Sequence, residues 1–119
     1  RVLLSGLPTS DLKTLVANFE MLKYTSNTIT SKSVLLQEIN KVKNQGWSIS
    51  DQELEFGLRS IAVPIFNKSQ EIIASINVST TVQNSTLESM EATFLPELKI
   101  TAQRISDDLT NSRTLSSAI

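Results

Sequence analysis

The sequence predicts an α+β fold in which an antiparallel β-sheet packs against helices. Apolar residues recur at helical spacing near both ends of the chain, whereas apolar and polar residues alternate between Trp47 and Ser79. A polar four-residue connection, residues 67–70, separates two alternating stretches and is typical of a β-hairpin. With 119 residues, we expect one domain covering residues 1–119.

Two helices are predicted in the first part of the chain. Thr9 or Ser10 can cap the first helix, because a short side-chain oxygen accepts a free N–H of the first turn. Thr30 or Ser31 can cap the second helix in the same way. The second helix is expected to end before Gly46, since glycine adopts the left-handed conformation that ends many helices.

The C-terminal third returns to helical spacing. Ser85, with Glu88 three residues later, is typical of a capping box and predicts where this helix begins. Pro96 should kink or divide the helix, because its ring clashes with the preceding turn.

The hairpin predicts which side chains share a face of the sheet. Counting outward from residues 67–70 places Ser60 opposite Asn77 and Leu58 opposite Ser79. One face of the pair is then apolar, and we expect it to lie under helices. The other face collects small polar side chains. A slip of one residue would exchange the two faces, so this prediction depends on the register.

The small polar face has two interpretations. Many antiparallel sheets simply expose one face to water. Exposed strand faces usually carry Lys, Glu, Arg or Thr, however, whereas this one carries alanine, serine and asparagine. Small side chains with directional hydrogen bonds suit a sheltered, concave site that leaves room for a ligand.

Composition excludes several classes of function. The chain has no His and no Cys, so common zinc, copper and haem ligands are absent, as are His- and Cys-based nucleophile pairs. We therefore expect no enzyme, no catalytic residue, no metal and no cofactor. A net charge of −1 gives no basic surface for DNA. No apolar run approaches the roughly 20 residues that span a bilayer, so no membrane partner and a cytoplasmic location are expected.

Several motifs together carry a resemblance to a known family. They are Gln45-Gly46-Trp47, Asp51-Gln52-Glu53-Leu54-Glu55, Gly57-Leu58-Arg59-Ser60-Ile61-Ala62-Val63-Pro64-Ile65 and Ala74-Ser75-Ile76-Asn77-Val78-Ser79. Further stretches fit the same template: Arg1-Val2-Leu3-Leu4 with Leu7-Pro8, Thr28-Ile29-Thr30, and Phe94-Leu95-Pro96-Glu97-Leu98. The chain resembles the effector-binding domain of IclR-type transcriptional regulators, in particular those that respond to protocatechuate or 4-hydroxybenzoate in the β-ketoadipate pathway.

The resemblance implies a curved antiparallel sheet with packed helices, akin to GAF and PAS sensor folds, with the N-terminal part of the domain upstream of Arg1. It implies a homodimer or tetramer that reaches DNA only through an upstream winged helix-turn-helix domain. It also implies effector contacts, at positions that match the family motifs: Ser50, Leu58, Ser60, Asn77 and Ser79.

A buried aromatic carboxylate needs a compensating donor, and arginine matches carboxylate geometry best. Arg1 lies in the segment that borders the pocket in the family and is the first candidate; the alternative is an exposed residue at a chain end, as most arginines are solvated. Arg59 is the second candidate. The hairpin count places Arg59 on the apolar face, where we expect it to pair with Asp51, Glu53 or Glu55.

Two functions from different classes follow. The first is a sensor of a small aromatic acid that controls genes of aromatic catabolism. The alternative is a dimerisation or structural domain without a small-molecule ligand, in which the small polar face is merely solvated.

Overall fold

Helices flank a three-stranded antiparallel sheet in the computed structural model, which describes the backbone of residues 1–118 and the side chains of residues 1–111. A 3-10 turn, Leu4–Gly6, is followed by α1 (Thr9–Ala17) and α2 (Lys32–Gln45). The strands are β1 (Ser48–Asp51), β2 (Leu58–Phe66) and β3 (Ile72–Thr81), in spatial order β1-β2-β3. A short helix α3 (Leu87–Ser89), a π-helical turn (Met90–Phe94) and α4 (Leu95–Ala118) complete the fold.

The ends of α2 are where the sequence predicts them. The hydroxyl of Ser31 accepts a hydrogen bond from the Val34 N–H at 3.4 Å, and Gly46 ends the helix at φ 86°. The predicted cap of α1 is wrong: Pro8 occupies the N-cap position and Thr9 is already helical, so neither Thr9 nor Ser10 caps this helix. Proline is favourable at a helix start, because its missing N–H would have no partner there.

The C-terminal helix begins one residue later than predicted. Thr86, rather than Ser85, is the cap, and its hydroxyl accepts from the Ser89 N–H at 3.0 Å. The predicted division near Pro96 is confirmed, because the π-helical turn immediately precedes α4 and Pro96 is its second residue. The chain stays helical through this turn, and the Leu95 N–H bonds to the Met90 carbonyl five residues back, so Pro96, which has no N–H to donate, lies where the hydrogen-bond pattern changes.

Two apolar clusters hold the molecule together. The larger one joins the inner face of the sheet to the C-terminal helices and contains Ile61, Val63, Ile65, Met90, Leu98 and Ala102. The smaller one joins α1 to α2 and contains Leu12, Val16 and Ile39. The sheet is thus covered by helix on its apolar face, as predicted.

The register of the hairpin differs from the prediction by two residues. Ser60 lies opposite Ser79 rather than Asn77, and Leu58 lies opposite Thr81 rather than Ser79. One residue of the shift comes from the turn, because the Asn67 N–H bonds to the Glu71 carbonyl and tightens the loop. The other comes from a β-bulge next to Ile65. Because the total shift is even beyond the bulge, Leu58, Ser60, Asn77 and Ser79 keep their predicted face. Next to the turn the shift is one residue, and Ile72 lies opposite Phe66 rather than Ile65.

Pro64 lies within β2, the middle strand of the sheet. The last residue of β2 that pairs with β1 is Ala62, so Pro64 has β3 as its neighbour on one side only. Proline has no N–H to donate, and it is tolerated where its strand has no partner on one side. In the part of the chain that the structure describes, no helix is long and apolar enough to cross a membrane.

Candidate functional site

Three hydroxyl groups form a row across the sheet. Ser50 of β1 lies opposite Ser60 of β2, which in turn lies opposite Ser79 of β3. Side chains directly opposite each other on neighbouring strands are about 5 Å apart. We call Ser50, Ser60 and Ser79 the serine row, and the face of the sheet that carries them the serine face. The register shift creates this alignment, which counting from the hairpin did not predict.

The remaining predicted site residues on the sheet border this row. Asn77 lies on the same face two residues before Ser79, about 7 Å along the strand. Leu58 lies two residues before Ser60, opposite Thr81. The structure therefore brings five of the six predicted residues together on one face.

The polar side chains of this face are not bonded to one another. Among the described residues, the hydroxyls of the serine row and the amide of Asn77 form no hydrogen bond. Hydroxyls elsewhere are engaged: those of Thr25 and Thr28, for example, both donate to backbone carbonyls. The free groups of the serine row and Asn77 are available to bind a ligand or water.

The face is more open than the sequence predicts. Ser50 and Ser60 are half-buried, whereas Asn77 and Ser79 are exposed. The predicted sheltered hollow is therefore wrong for the described residues, because α4 covers the opposite face of the sheet. Leu58 lines a depression of about 300 Å³ at one end of the row.

A larger cavity, of about 570 Å³, lies at the hairpin end of the sheet. It is a partly open depression between the 3-10 turn, α2 and the hairpin, and it is lined by Gly6, Val42, Pro64 and Ile72 among others. None of the six predicted site residues lines it. Sequence patterns did not indicate this cavity, because the three segments that form it are far apart along the chain.

Arg1 is bound to groups of the protein. Its guanidinium forms an ion pair with the Glu53 carboxylate, in which Nη1 donates to Oε2 at 2.8 Å and Nη2 to Oε1. Nη1 also donates to the Ile49 carbonyl at 3.1 Å. The predicted role of Arg1 as a carboxylate receptor stays a prediction, and a ligand would have to compete with Glu53 for it.

Arg59 behaves as predicted from its place on the apolar face. Its Nε donates to Oδ1 of Asp51 at 2.7 Å, and Nη1 donates to the Ser85 carbonyl at 2.9 Å. Asp51 and Arg59 are opposite one another on β1 and β2, so the pair joins the end of one strand to the start of the next. Arg59 thus has a structural role at this bend. Within residues 1–111, no group of three or more acidic side chains is placed to hold a metal ion.

The sheet thus carries helices on its apolar face and, on the other face, hydroxyls that have no hydrogen-bond partner among the described residues. Comparison with known proteins identifies the family. Residues 1–107 match the family described as bacterial transcriptional regulator IclR, C-terminal. The chain belongs to this family and corresponds to the effector-binding part of its regulators.

Two curated relatives are transcriptional regulators, not enzymes. The Pca regulon regulatory protein of Pseudomonas putida is 41% identical over 98 residues, which cover 82% of this chain and 34% of that protein. The Pca operon regulatory protein of Acinetobacter baylyi is 27% identical over 105 residues, covering 88% of this chain and 38% of that protein. The chain thus spans about a third of the length of these relatives.

Solved structures confirm the fold class. The Thermotoga maritima IclR matches with a TM-score of 0.82 and 30% identity, over 92% of this chain and 44% of that one. A double mutant of the PobR inducer-binding domain from Acinetobacter, in complex with 3-hydroxybenzoic acid, matches with a TM-score of 0.84 and 27% identity. That match covers 88% of this chain and 60% of the PobR chain.

Proposed function

We propose that this chain senses a small aromatic carboxylate, a hydroxybenzoate such as protocatechuate or 4-hydroxybenzoate, on the face that carries the serine row. The proposal depends above all on one observation: four adjacent polar side chains, Ser50, Ser60, Asn77 and Ser79, have no hydrogen-bond partner among the described residues. Such groups can donate to a carboxylate or accept from a ring hydroxyl, each bond contributing about 1 kcal/mol.

The relatives support the chemical class of the ligand. The Pseudomonas putida and Acinetobacter baylyi relatives are both named for Pca regulation, and the PobR domain holds 3-hydroxybenzoic acid. The serine face carries no charged side chain near its centre, and neighbours such as Ala62 and Leu58 offer apolar contact to an aromatic ring. The flat ring and the polar edge of a hydroxybenzoate match this combination of surfaces.

Exposure of the face limits the affinity that we expect from this chain. Ligand sites usually bury most of the ligand surface. Because Asn77 and Ser79 are exposed, one side of the ligand would remain in water. We therefore expect a dissociation constant of about 0.1 to 1 mM, equivalent to roughly 4 to 6 kcal/mol of binding free energy.

A thermal-shift titration tests the proposal. Protocatechuate and 4-hydroxybenzoate are expected to raise the melting temperature with increasing concentration, because a ligand that binds only the folded state stabilises it. Benzoate, without a ring hydroxyl, should have a smaller effect, and cyclohexanecarboxylate the smallest. No shift with any of these acids would contradict the proposal and favour the alternative of a structural or dimerisation domain.

A matched pair of serine variants locates the site. Ser79→Ala removes a hydroxyl of the serine row, and we expect the dissociation constant for 4-hydroxybenzoate to rise about fivefold, the equivalent of one hydrogen bond. Ser75→Ala is the control, because Ser75 is also exposed on the same face of β3 but lies about 13 Å away. Equal effects of both substitutions in calorimetric titrations would contradict the proposed position.

We extend the proposal to the regulator as a whole. The acid would control genes of aromatic catabolism in the β-ketoadipate pathway, in the cytoplasm, through a DNA-binding domain that this chain does not include.

The protein would act as a homodimer or tetramer. The names of the curated relatives support the regulatory role, and the exposed side chains of Leu54 and Phe56, at 66% and 63%, offer apolar surface for a subunit contact. Light scattering of the purified protein measures the oligomeric state.

A further inference from the structure

The loop that connects α1 to α2 binds three successive backbone carbonyls at the end of β1. The Nδ2 amide of Asn27 donates to the Asp51 carbonyl at 3.1 Å, and the hydroxyl of Thr25 donates to the Gln52 carbonyl at 2.6 Å. The hydroxyl of Thr28 donates to the Glu53 carbonyl. We call this segment the 25–28 loop.

The 25–28 loop is itself held in a fixed shape. The Thr25 hydroxyl accepts a hydrogen bond from the Asn27 N–H at 3.0 Å, and the Thr28 hydroxyl accepts from the Thr25 N–H at 2.9 Å. Thr25 is 5% exposed, so its bonds are shielded from water. Each hydroxyl therefore links the loop to itself and to the sheet at once.

Strand β1 needs such support, because it is short and lies at an edge. It has four residues and, in the part of the chain that the structure describes, pairs with β2 alone. Ile49 and Asp51 are two residues apart, so their carbonyls point the same way. Both accept from side chains outside the sheet: Arg1 bonds to the first and Asn27 to the second.

The residue after the strand is strained. Gln52 has φ 56°, in the left-handed region that costs a non-glycine residue about 1 kcal/mol. The hydrogen bond from Thr25 fixes the carbonyl of this residue, and the Gln52 Oε1 accepts from the Gly57 N–H at 3.0 Å. The Gln52 N–H also bonds to the Leu58 carbonyl at 2.9 Å. Without the bonds from Thr25 and to Gly57 we would expect the end of β1 to be held less firmly against β2.

Ser50 lies between the two held carbonyls and is the β1 member of the serine row. We infer that Thr25, Asn27 and Thr28 are positioning residues for the effector site, which keep Ser50 in line with Ser60. This inference rests on the proposed function and adds to it three residues whose side chains bond to backbone carbonyls at the end of β1 rather than to the serine row. Loss of their hydrogen bonds would move one hydroxyl away from a ligand and leave the others in place.

The test compares Thr25→Val with Thr25→Ser in the purified protein. Valine has the shape of threonine without the hydroxyl, whereas serine keeps the hydroxyl. For Thr25→Val we expect amide hydrogen exchange in β1 to become about tenfold faster, with little change in β2 and β3. Calorimetry should show about fivefold weaker binding of 4-hydroxybenzoate. Thr25→Ser should restore both values.

Asn27→Ala is the second variant, since Asn27 is exposed and its loss is not expected to prevent folding. Asn40→Ala, at an exposed position of α2, is its control. The inference would be overturned if amide hydrogen exchange in β1 were unchanged in both Thr25→Val and Asn27→Ala. It would also be overturned if exchange became faster while the affinity for 4-hydroxybenzoate stayed the same. A wild-type protein that binds no hydroxybenzoate would instead overturn the proposed function, and the positioning role with it.

Discussion

Arg1 and Glu53 show how one ion pair can govern the affinity for an anion. The pair is shielded, with side chains 17% and 16% exposed, so an incoming carboxylate meets a guanidinium that is already neutralised and a repelling Glu53. If Arg1 is the receptor, Glu53→Gln should release it and bind 4-hydroxybenzoate about fivefold more tightly in calorimetric titrations.

A neutral ligand provides the control for this substitution. The affinity for 4-hydroxybenzamide should stay unchanged in Glu53→Gln, because this ligand carries no charge for Arg1 to balance. Weaker binding of both ligands would mean that the ion pair serves only to hold residues 52–57, the connection between β1 and β2, and Arg1 would then lose its predicted place in the site.

At the scale of single elements, Gly46 gives the sharpest prediction. Its φ of 86° is strained for any side chain, yet a Cβ added there would meet no atom within 4 Å. Gly46→Ala should therefore lower the free energy of unfolding through backbone strain alone, by about 1 kcal/mol, as measured by urea denaturation. Gly46→Asn should cost less, because asparagine tolerates this conformation; an equal or larger loss would point to an unseen packing contact.

The elements that could be predicted from the sequence are those with local causes. The cap at Ser31 and the glycine after α2 act within a few residues, and both predictions are confirmed. The register of β2 and β3 depends on the bulge beside Ile65 and on the tightened turn, and neither has a pattern that counting could detect. The residues of the serine face were predicted correctly despite the wrong register, because a shift of two residues leaves side chains on the same face.

The candidate site was predictable in part, because the alternation of side chains along a strand is also a local property. Alternation placed Ser60, Asn77 and Ser79 on one face, whatever their partners across the strands. The 25–28 loop could not be predicted, because its hydroxyl and amide groups act on carbonyls more than 20 residues away along the chain. Side chain to backbone contacts at that separation follow from the fold and have no periodicity of their own.

The whole molecule is broad and flat. Its extents are 53 × 37 × 21 Å and its radius of gyration is 16.1 Å, compared with about 13.5 Å expected for a compact chain of this length. The two apolar clusters, one between the sheet and α4 and one between α1 and α2, have no member in common. Bonds such as those of the 25–28 loop therefore link two cores that are otherwise largely separate.

Separate cores predict separate unfolding, and two matched substitutions can test it. Ile39 and Ile61 are 1% and 0% exposed and belong to different clusters. Replacing either with valine should cost about 1 kcal/mol. In hydrogen exchange, Ile39→Val should make exchange in α1 and α2 faster while β2 stays protected. Ile61→Val should make exchange in the sheet and α4 faster. If each substitution instead accelerates exchange equally in all elements, the molecule unfolds as one unit. The hydrogen bonds of the 25–28 loop then couple the helices to the serine face more tightly than the two clusters indicate.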